Sequence, residues 1–301
     1  MKTSVIIPSY NPTLKLTETL DKLVLQSAFI DELIIIIDNN NYSDFAKSLV
    51  GKYTNTLKIK IFPQPNSGRA ISRNRGVGYS TGDIIVFLDD DMLAENNLIE
   101  KHIQYHLKNP GIIVSGNGYR NPEDAKYDFG KFLITMEKGW RKHDTETREI
   151  TLQKFDFTAC NMSLPKSIFR QLGGFDTRFS DGEDFDFAVR AIQQNIKIIY
   201  DRTLLAWHND WPEIDKYVKR QNEYISARME ILKISPDYIQ YFPNMNIGQG
   251  NRINRVISRI IRKTIGKWVI SKNVMFNLCP INLKFFLYRI VIFAYSDINK
   301  S

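Results

Sequence analysis

Asp83-Ile84-Ile85-Val86-Phe87-Leu88-Asp89-Asp90-Asp91 decides how this chain is read. The apolar residues Ile84 to Leu88 have the length and β-branched character of a buried strand. Three carboxylates follow without a gap. No core tolerates three unpaired acids, so the strand must end at a surface or cleft where positive charge meets them. Hard divalent cations choose oxygen ligands and often bind one or two carboxylates plus substrate phosphates. In open α/β sheets, ligands sit beyond the carboxyl ends of strands. Taken alone, the triplet leaves two readings open. One is a metal–diphosphate site, the other a solvated acidic turn before a helix starting near Glu95.

Upstream, Ser4-Val5-Ile6-Ile7 reads as a short buried strand closed by Pro8. Leu16, Leu20, Leu23 and Val24 form a helical stripe within Thr13 to Gln26. Leu33 to Ile37 is a second apolar strand ending at Asp38-Asn39, followed by a helix over 42–52 and a third strand over 57–62. Strands alternating with helices predict right-handed βαβ units and a mostly parallel sheet flanked by helices. Downstream come a helix over 95–107 and a strand over 112–115. Residues 119–150 are polar and weakly periodic, and read as a loop-and-helix insertion. A helix over 165–172 follows, ended by Gly173-Gly174. Glu183-Asp184-Phe185-Asp186 runs into another helix. Strands are expected over 196–200 and 204–208, with a long helix over 211–232.

The 301 residues fit one large α/β domain with an extension, or two small domains. With 43% hydrophobic and 25% charged residues, a sizeable core can be buried. Cys160 and Cys279 stand far apart, which argues against a disulfide framework or a cysteine-ligated metal and favours a reducing compartment. No signal peptide is read at the N-terminus, and no apolar run is long enough to span a bilayer. The net charge of +8 is unevenly placed. Gly248 to Ser301 holds ten Lys/Arg and one acid, Asp297, a charge of +9, which leaves −1 for the remainder.

Between the third and fourth strands, Asn66-Ser67-Gly68-Arg69-Ala70-Ile71-Ser72-Arg73-Asn74-Arg75-Gly76 places Gly68 before a helix start, whose free N–H groups suit an anion. A solvated basic helix is the plainer alternative. With this segment in place, the chain resembles a family 2 glycosyltransferase of the GT-A fold. The matching pieces are Val5-Ile6-Ile7-Pro8-Ser9-Tyr10-Asn11, the strand ending at Asp38-Asn39, Asn66-x-Gly68-x-x-x-x-Arg73-Asn74-x-Gly76, Leu88-Asp89-Asp90-Asp91, Gly173-Gly174-Phe175-Asp176 and Gly182-Glu183-Asp184-x-Asp186-x-x-x-Arg190. They cover about the first 210 residues, in the family's order.

The resemblance implies inverting transfer of a sugar from a nucleotide-diphospho-sugar to an acceptor hydroxyl, assisted by Mn²⁺ or Mg²⁺. It implies a nucleotide-sugar site drawing on Pro8, Tyr10, Asn11, Asp38, Asn39, Asn66, Gly68, Arg73, Asp89 and Asp90. Many family members carry a second acid where Asn39 stands, and this departure blurs the base preference. An Asn carbonyl still accepts from a uracil or thymine N3–H, so a UDP-sugar is favoured. Asp91 and Asp89 match the metal-ligating acids, with His208 as a further ligand or phosphate contact. Asp184 matches the catalytic base, and Asn161, Glu183, Asp186 and Trp207 the acceptor side. The plainer readings are a helix-capping acidic cluster at 183–186 and a packed histidine at 208.

The expected organisation is a transferase domain over 1–235, with a nucleotide-sugar half over 1–118 and an acceptor half over 119–235. A basic amphipathic helical extension over 236–301 completes it. Within the extension, Arg252, Arg255, Arg259, Arg262 and Lys263 oppose Ile253, Val256, Ile257, Ile260, Ile261, Ile265 and Trp268 at helical period. Such a helix lies on an anionic membrane surface or packs on the body of the protein. The expected partners are a nucleotide-sugar donor, a glycan or lipid-linked acceptor and an anionic membrane surface, with no nucleic acid. The expected role is bacterial-type surface polysaccharide or glycan assembly. It would take place in the cytoplasm, peripheral to the inner face of the plasma membrane. The alternatives are a sugar nucleotidyltransferase, which would carry a Gly-rich, Arg-containing loop where Pro8-Ser9-Tyr10-Asn11 stands, and a non-catalytic nucleotide-sugar- or membrane-binding protein.

Overall fold

The computed structural model describes residues 1–140, 146–153, 155, 157–241, 252–270 and 274–295. In chain order the regular elements are β1 (Thr3–Ser9), α1 (Leu14–Val24), β2 (Glu32–Ile37), α2 (Ser43–Val50), β3 (Ile59–Pro63), α3 (Arg69–Tyr79), β4 (Ile84–Leu88), β5 (Met92–Ala94), α4 (Leu98–Lys108) and β6 (Ile113–Asn117). Then come α5 (Asp128–Trp140), β7 (Arg148–Glu149), β8 (Asn161–Pro165), α6 (Lys166–Gln171), α7 (Glu183–Gln193), β9 (Ile198–His208), α8 (Ile214–Ile234), α9 (Arg252–Ile261), α10 (Lys267–Ile270), α11 (Val274–Asn277) and α12 (Ile281–Tyr295). They divide into two compact units, residues 1–121 with 143–210, and residues 122–142 with 211–301.

The first unit is a mixed α/β layer structure. Its sheet runs β3-β2-β1-β4-β8-β6-β9-β5, with β7 added on β9. Strands β3, β2, β1 and β4 are parallel, and the apolar runs of β2 and β4 suit strands covered on both faces. Every residue of β2 and β4 is buried. One face packs against Leu16, Leu20 and Leu23 of α1, and the other against Ala70 and Val77 of α3. The α3 helix sits so close that a Cβ on Gly76 would lie 2.4 Å from Ile6.

The sheet departs from simple alternation at β8, which lies antiparallel to both β4 and β6. That reversal brings residues 159–161 beside the carboxyl end of β4, where Leu88 faces Asn161. The two strands expected over 196–200 and 204–208 are one strand, β9. A register shift against β6 between Ser115 and Asn117 absorbs the irregularity. Strand β5 was not expected. It turns back from the acidic triplet and pairs with the end of β9, Met92 opposite His208.

The second unit is helical. Its core gathers Phe129, Phe132 and Leu133 of α5, Ile214 and Val218 of α8, Val269, Phe276, and Leu287, Tyr288 and Val291 of α12. The insertion expected over 119–150 thus contributes a packed helix, with Phe132 fully buried.

Candidate active site

The site is built on the carboxyl ends of β1, β2 and β4, the start of β8, the head of α7 and the end of β9. At its centre lies Arg73, 3% exposed. Its guanidinium donates to Asp89 Oδ1 at 2.7 Å and to Glu183 Oε1 at 2.5 Å, joining the end of β4 to the head of α7. Burial disfavours its charge, but the carboxylates of Asp89, Glu183 and Asp184 outweigh burial and hold the guanidinium protonated. Among the described residues, Arg73 Nε is buried without a partner.

Asp184 follows Glu183 in the first turn of α7, which opens after Gly182 at φ 80°. That left-handed backbone favours glycine. The Asp184 carboxylate accepts from the backbone N–H of Ala159 at 3.3 Å and of Phe185 at 2.8 Å. Burial first, then the neighbouring Glu183 charge, push it up to about 6, against the pull of Arg73. The same stretch before β8 holds Asp89, whose backbone N–H donates to the Cys160 carbonyl at 3.2 Å. Antiparallel β8 is therefore the physical link between the acidic strand end and the acid at the helix head.

The rest of the triplet turns elsewhere. Asp90 is raised to about 7 by burial and by the Asp91 charge, while the Ser9 hydroxyl donates to it. Asp91 Oδ2 lies 3.3 Å from His208 Nε2. Burial works against the charged form of both, but their mutual attraction prevails. Asp91 is held below the usual carboxylate value and His208 above the usual imidazole value. The β5–β9 pairing fixes this contact, together with the Asn209 N–H donating to the Asp91 carbonyl at 2.8 Å.

On the nucleotide side, Asp38 is 5% exposed and accepts from Gln64 Nε2 at 2.6 Å and from the N–H groups of Ser67 and Gly68 at 2.8 Å each. Its carboxylate is thus occupied in holding the loop that ends at Gly68, the residue before α3. Asn39 Nδ2 donates to Asn11 Oδ1 at 3.0 Å, and its Oδ1 caps Asn41 N–H at 3.1 Å. Tyr10 is 50% exposed beside them, Pro8 is half-buried, and Asn66 is exposed.

Four residues expected on the acceptor side fall in different settings. Glu183 is buried on Arg73. Asp186 is buried and bonded to Arg190, whose guanidinium also donates to the Gly174 carbonyl at 2.9 Å. Asn161 is fully buried, donating to the carbonyls of Asn117 and Leu204 at 2.8 and 2.9 Å. Trp207 donates to Glu95 at 2.7 Å on an exposed edge.

The donor set suits a hard divalent cation. Asp91 and His208 converge at one edge, and among the described residues no three His, Cys, Asp or Glu form a ready cage. Mg²⁺-type sites are completed by substrate phosphates rather than by protein alone. Asp89, expected as a ligand, points one oxygen at Arg73.

Several contributors escaped the sequence reading. Ser9 lay inside the first motif but carried no role there. Lys15 and Arg120 both pair with Asp210, at 3.4 and 3.7 Å, close to the Asp91–His208 edge. No sequence spacing links positions so far apart.

The comparisons with known proteins agree with this architecture. The profile of "Glycosyl transferase family 2" matches residues 4–173. The chain belongs to this family. It is 26% identical over 224 residues to the validoxylamine A glucosyltransferase of Streptomyces hygroscopicus, covering 66% of this chain and 53% of that protein. It is 35% identical over 266 residues to the glycosyltransferase YfnE of Bacillus subtilis, covering 72% and 67%. The chain thus spans only about half the length of the first relative. Among solved structures, the mannosyltransferase PcManGT of Pyrobaculum calidifontis, bound to GDP-Man and Mn²⁺, superposes with a TM-score of 0.59 at 13% identity, covering 97% of this chain and 85% of that one. Staphylococcus aureus TarS 1–349 with UDP-GlcNAc gives 0.53 at 15% identity, covering 100% and 91%. These likenesses show the GT-A fold.

Proposed function

We propose that this chain is an inverting glycosyltransferase that moves a sugar from a nucleotide-diphospho-sugar, a UDP-sugar first, to an acceptor hydroxyl in glycan or surface-polysaccharide assembly. The observation that carries the reading is the Asp184 carboxylate. It is half-buried at the head of α7, raised to about 6, and joined through Glu183 and Arg73 to the acidic end of β4. A carboxylate poised near neutral pH suits a general base.

Asp184 takes the proton of the acceptor hydroxyl while that oxygen bonds to the anomeric carbon. The bond from that carbon to the diphosphate oxygen breaks on the opposite face, and the nucleoside diphosphate leaves with the electron pair. One displacement with one base inverts the anomeric centre. Asp91 and His208 are the residues that would hold Mn²⁺ or Mg²⁺, which when bound supplies Lewis-acid stabilisation of the leaving diphosphate. Arg73 does not need to touch the donor to matter, since it fixes the separation of Asp89 and Glu183. Pro8, Tyr10, Asn11 and Asn39 form the base side. The amide of Asn39 offers both an acceptor and a donor, which fits a uracil edge. The TarS structure with UDP-GlcNAc supports that choice, and the PcManGT structure with GDP-Man supplies the competing base.

The proposed location is the cytoplasm, peripheral to the inner face of the plasma membrane. The test is a panel of nucleotide-sugars with Mn²⁺ and a generic acceptor, followed by nucleotide release and the anomeric configuration of the product by NMR. A UDP-sugar should turn over with inversion. Retention of configuration, or no release from any donor, would overturn the reading.

A further inference from the structure

The helices that end the second unit turn apolar side chains to solvent. Helix α12 buries Leu287, Tyr288, Val291 and Ala294, and its Lys284 ammonium is neutralised by Asp128 at 2.6 Å. On the opposite side Phe286 is 59% and Phe293 56% exposed, with Leu283 and Arg289 exposed beside them. A surface helix of a globular protein shows a polar outer face, so one that is apolar on both sides leaves a face without its natural cover. Helix α9 repeats the pattern in sharper form. Val256, Ile257 and Ile260 are exposed, Arg259 and Lys263 are exposed alongside, and Ser258 is buried with its hydroxyl unpartnered among the described residues. The stripe expected to choose between a membrane and the protein core thus faces outward at Val256, Ile257 and Ile260. The side chains of 252–255, Ile253 among them, lie outside the described residues. The two helices adjoin, and Tyr295 Oη donates to the Arg262 carbonyl at 3.4 Å.

We propose that α9 and α12 form a docking face for an anionic lipid bilayer, with Val256, Ile257, Ile260, Phe286 and Phe293 entering the headgroup–acyl boundary and Arg259, Lys263 and Arg289 meeting lipid charge. The charge pattern chooses this occupant. From Arg252 to Tyr295 the sequence contains no Asp or Glu. A second copy seated on the same face would set these cations against their own images, because a two-fold interface is self-complementary. An anionic surface meets all of them at once, and exposed aromatic and aliphatic residues beside cations are the composition of helices that lie in the interface plane. Among the described residues no helix is long and apolar enough to cross a membrane, so the face lies on the bilayer. This names the surface behind the peripheral location proposed above and stands apart from the transfer chemistry.

The experiment is sedimentation of the full chain with vesicles of phosphatidylcholine alone and of phosphatidylcholine mixed with phosphatidylglycerol, at low and high salt, without donor. The chain should sediment only with the mixed vesicles and be released by salt. Arg259→Glu with Lys263→Glu should weaken binding by at least about 30-fold, roughly fivefold for each cation lost. Phe286→Ser with Phe293→Ser should abolish it with the melting temperature unchanged. A fall in melting temperature would mark these phenylalanines as packed and overturn their part in the face. The charge pair then decides the remainder. Failure to bind mixed vesicles at low salt, binding that ignores both pairs of changes, or a dimer in sedimentation equilibrium that the phenylalanine changes dissolve would each overturn the proposal. Transfer to a soluble acceptor, measured alongside, is unaffected by all of these outcomes and keeps the two readings separate.

Discussion

At the scale of single residues, Arg73 carries the argument. A buried cation flanked by two carboxylates is costly to assemble and costlier to break, because removing one partner leaves the others desolvated and unpaired. Arg73→Ala strands Glu183 at 2% exposure, and unfolding in urea should show a loss of about 3–5 kcal/mol. Arg73→Lys is the finer probe. An ammonium is a point charge without the two-armed fork that reaches Asp89 and Glu183 together, so it restores charge but not geometry. Stability should recover in large part while kcat/KM stays down by roughly 10-fold or more. Full recovery of both would reduce Arg73 to a structural cation. Asp184 invites a chemical test. Asp184→Asn keeps the shape and removes the proton acceptor, so transfer should fall by roughly 10²-fold or more with donor affinity kept. The wild-type kcat/KM should rise through an acid limb near pH 6, where Asp184 loses its proton, and the limb should vanish from the residual activity of the variant. A limb that persists in the variant belongs to another group.

Among the elements, α4 and β8 share the most closely specified contact. His102 and His106 lie one turn apart on α4, both buried. Asn161 donates its amide to two carbonyls, so its Oδ1 can only accept, and His102 Nε2 must carry the proton across their 3.0 Å contact. His102 Nδ1 then accepts from Ser163 Oγ at 2.8 Å, and His106 Nε2 donates to the same oxygen at 2.7 Å. Burial favours the neutral form of both rings, which this arrangement accommodates. Burial holds His102 down to about 4 and His106 to about 3. A histidine depressed on folding binds its proton more readily when unfolded, so its contribution is present above pH 6.5 and is lost as pH falls toward the folded value. For His102 that is about 2 kcal/mol by pH 5. Raised carboxylates such as Asp184 run the other way, so the measurement must be a difference. Urea unfolding of wild type should lose about 2 kcal/mol more between pH 7 and pH 5 than His102→Gln. Equal slopes would mean that the ring is charged in the fold. This contact also marks the limit of sequence reading. β1, β2 and β4 are legible because parallel strands covered on both faces are unbroken apolar runs, and Asp89 to Asp91 are legible because three acids cannot be buried unpaired. The pairing of β8 against β4, the continuity of β9 and the meeting of Arg73 with Glu183 depend on partners up to 110 residues apart, which no local period records. Helix α5 was legible only as part of a loop-and-helix insertion, since polar residues diluted the stripe that Phe129, Phe132 and Leu133 bury.

The whole molecule separates its charge from its chemistry. The last 54 residues carry +9, and the rest of the chain is close to neutral. The proposed diphosphate site thus belongs to a part of the chain with almost no net charge, and the proposal rests its binding on local groups and a metal. Asp91 and His208 alone are a thin protein donor set for such a metal, so the nucleotide has to complete it. That makes metal and nucleotide affinities reciprocal, each raised by the other by the same factor. Titration calorimetry of Mn²⁺ into the protein should show weak binding alone and at least about tenfold tighter binding with UDP present, with an equal gain for UDP when Mn²⁺ is present. The metal requires His208 neutral, whereas pairing with Asp91 favours its protonated form. Mn²⁺ affinity should therefore fall as pH drops below the raised His208 value, with protons released on binding. His208→Gln should keep the nucleotide coupling but flatten that pH dependence, and Asp91→Ala should abolish the coupling. Mn²⁺ that binds equally tightly with and without nucleotide would mean that the protein supplies a complete cage of its own, and the two-donor site would have to be abandoned.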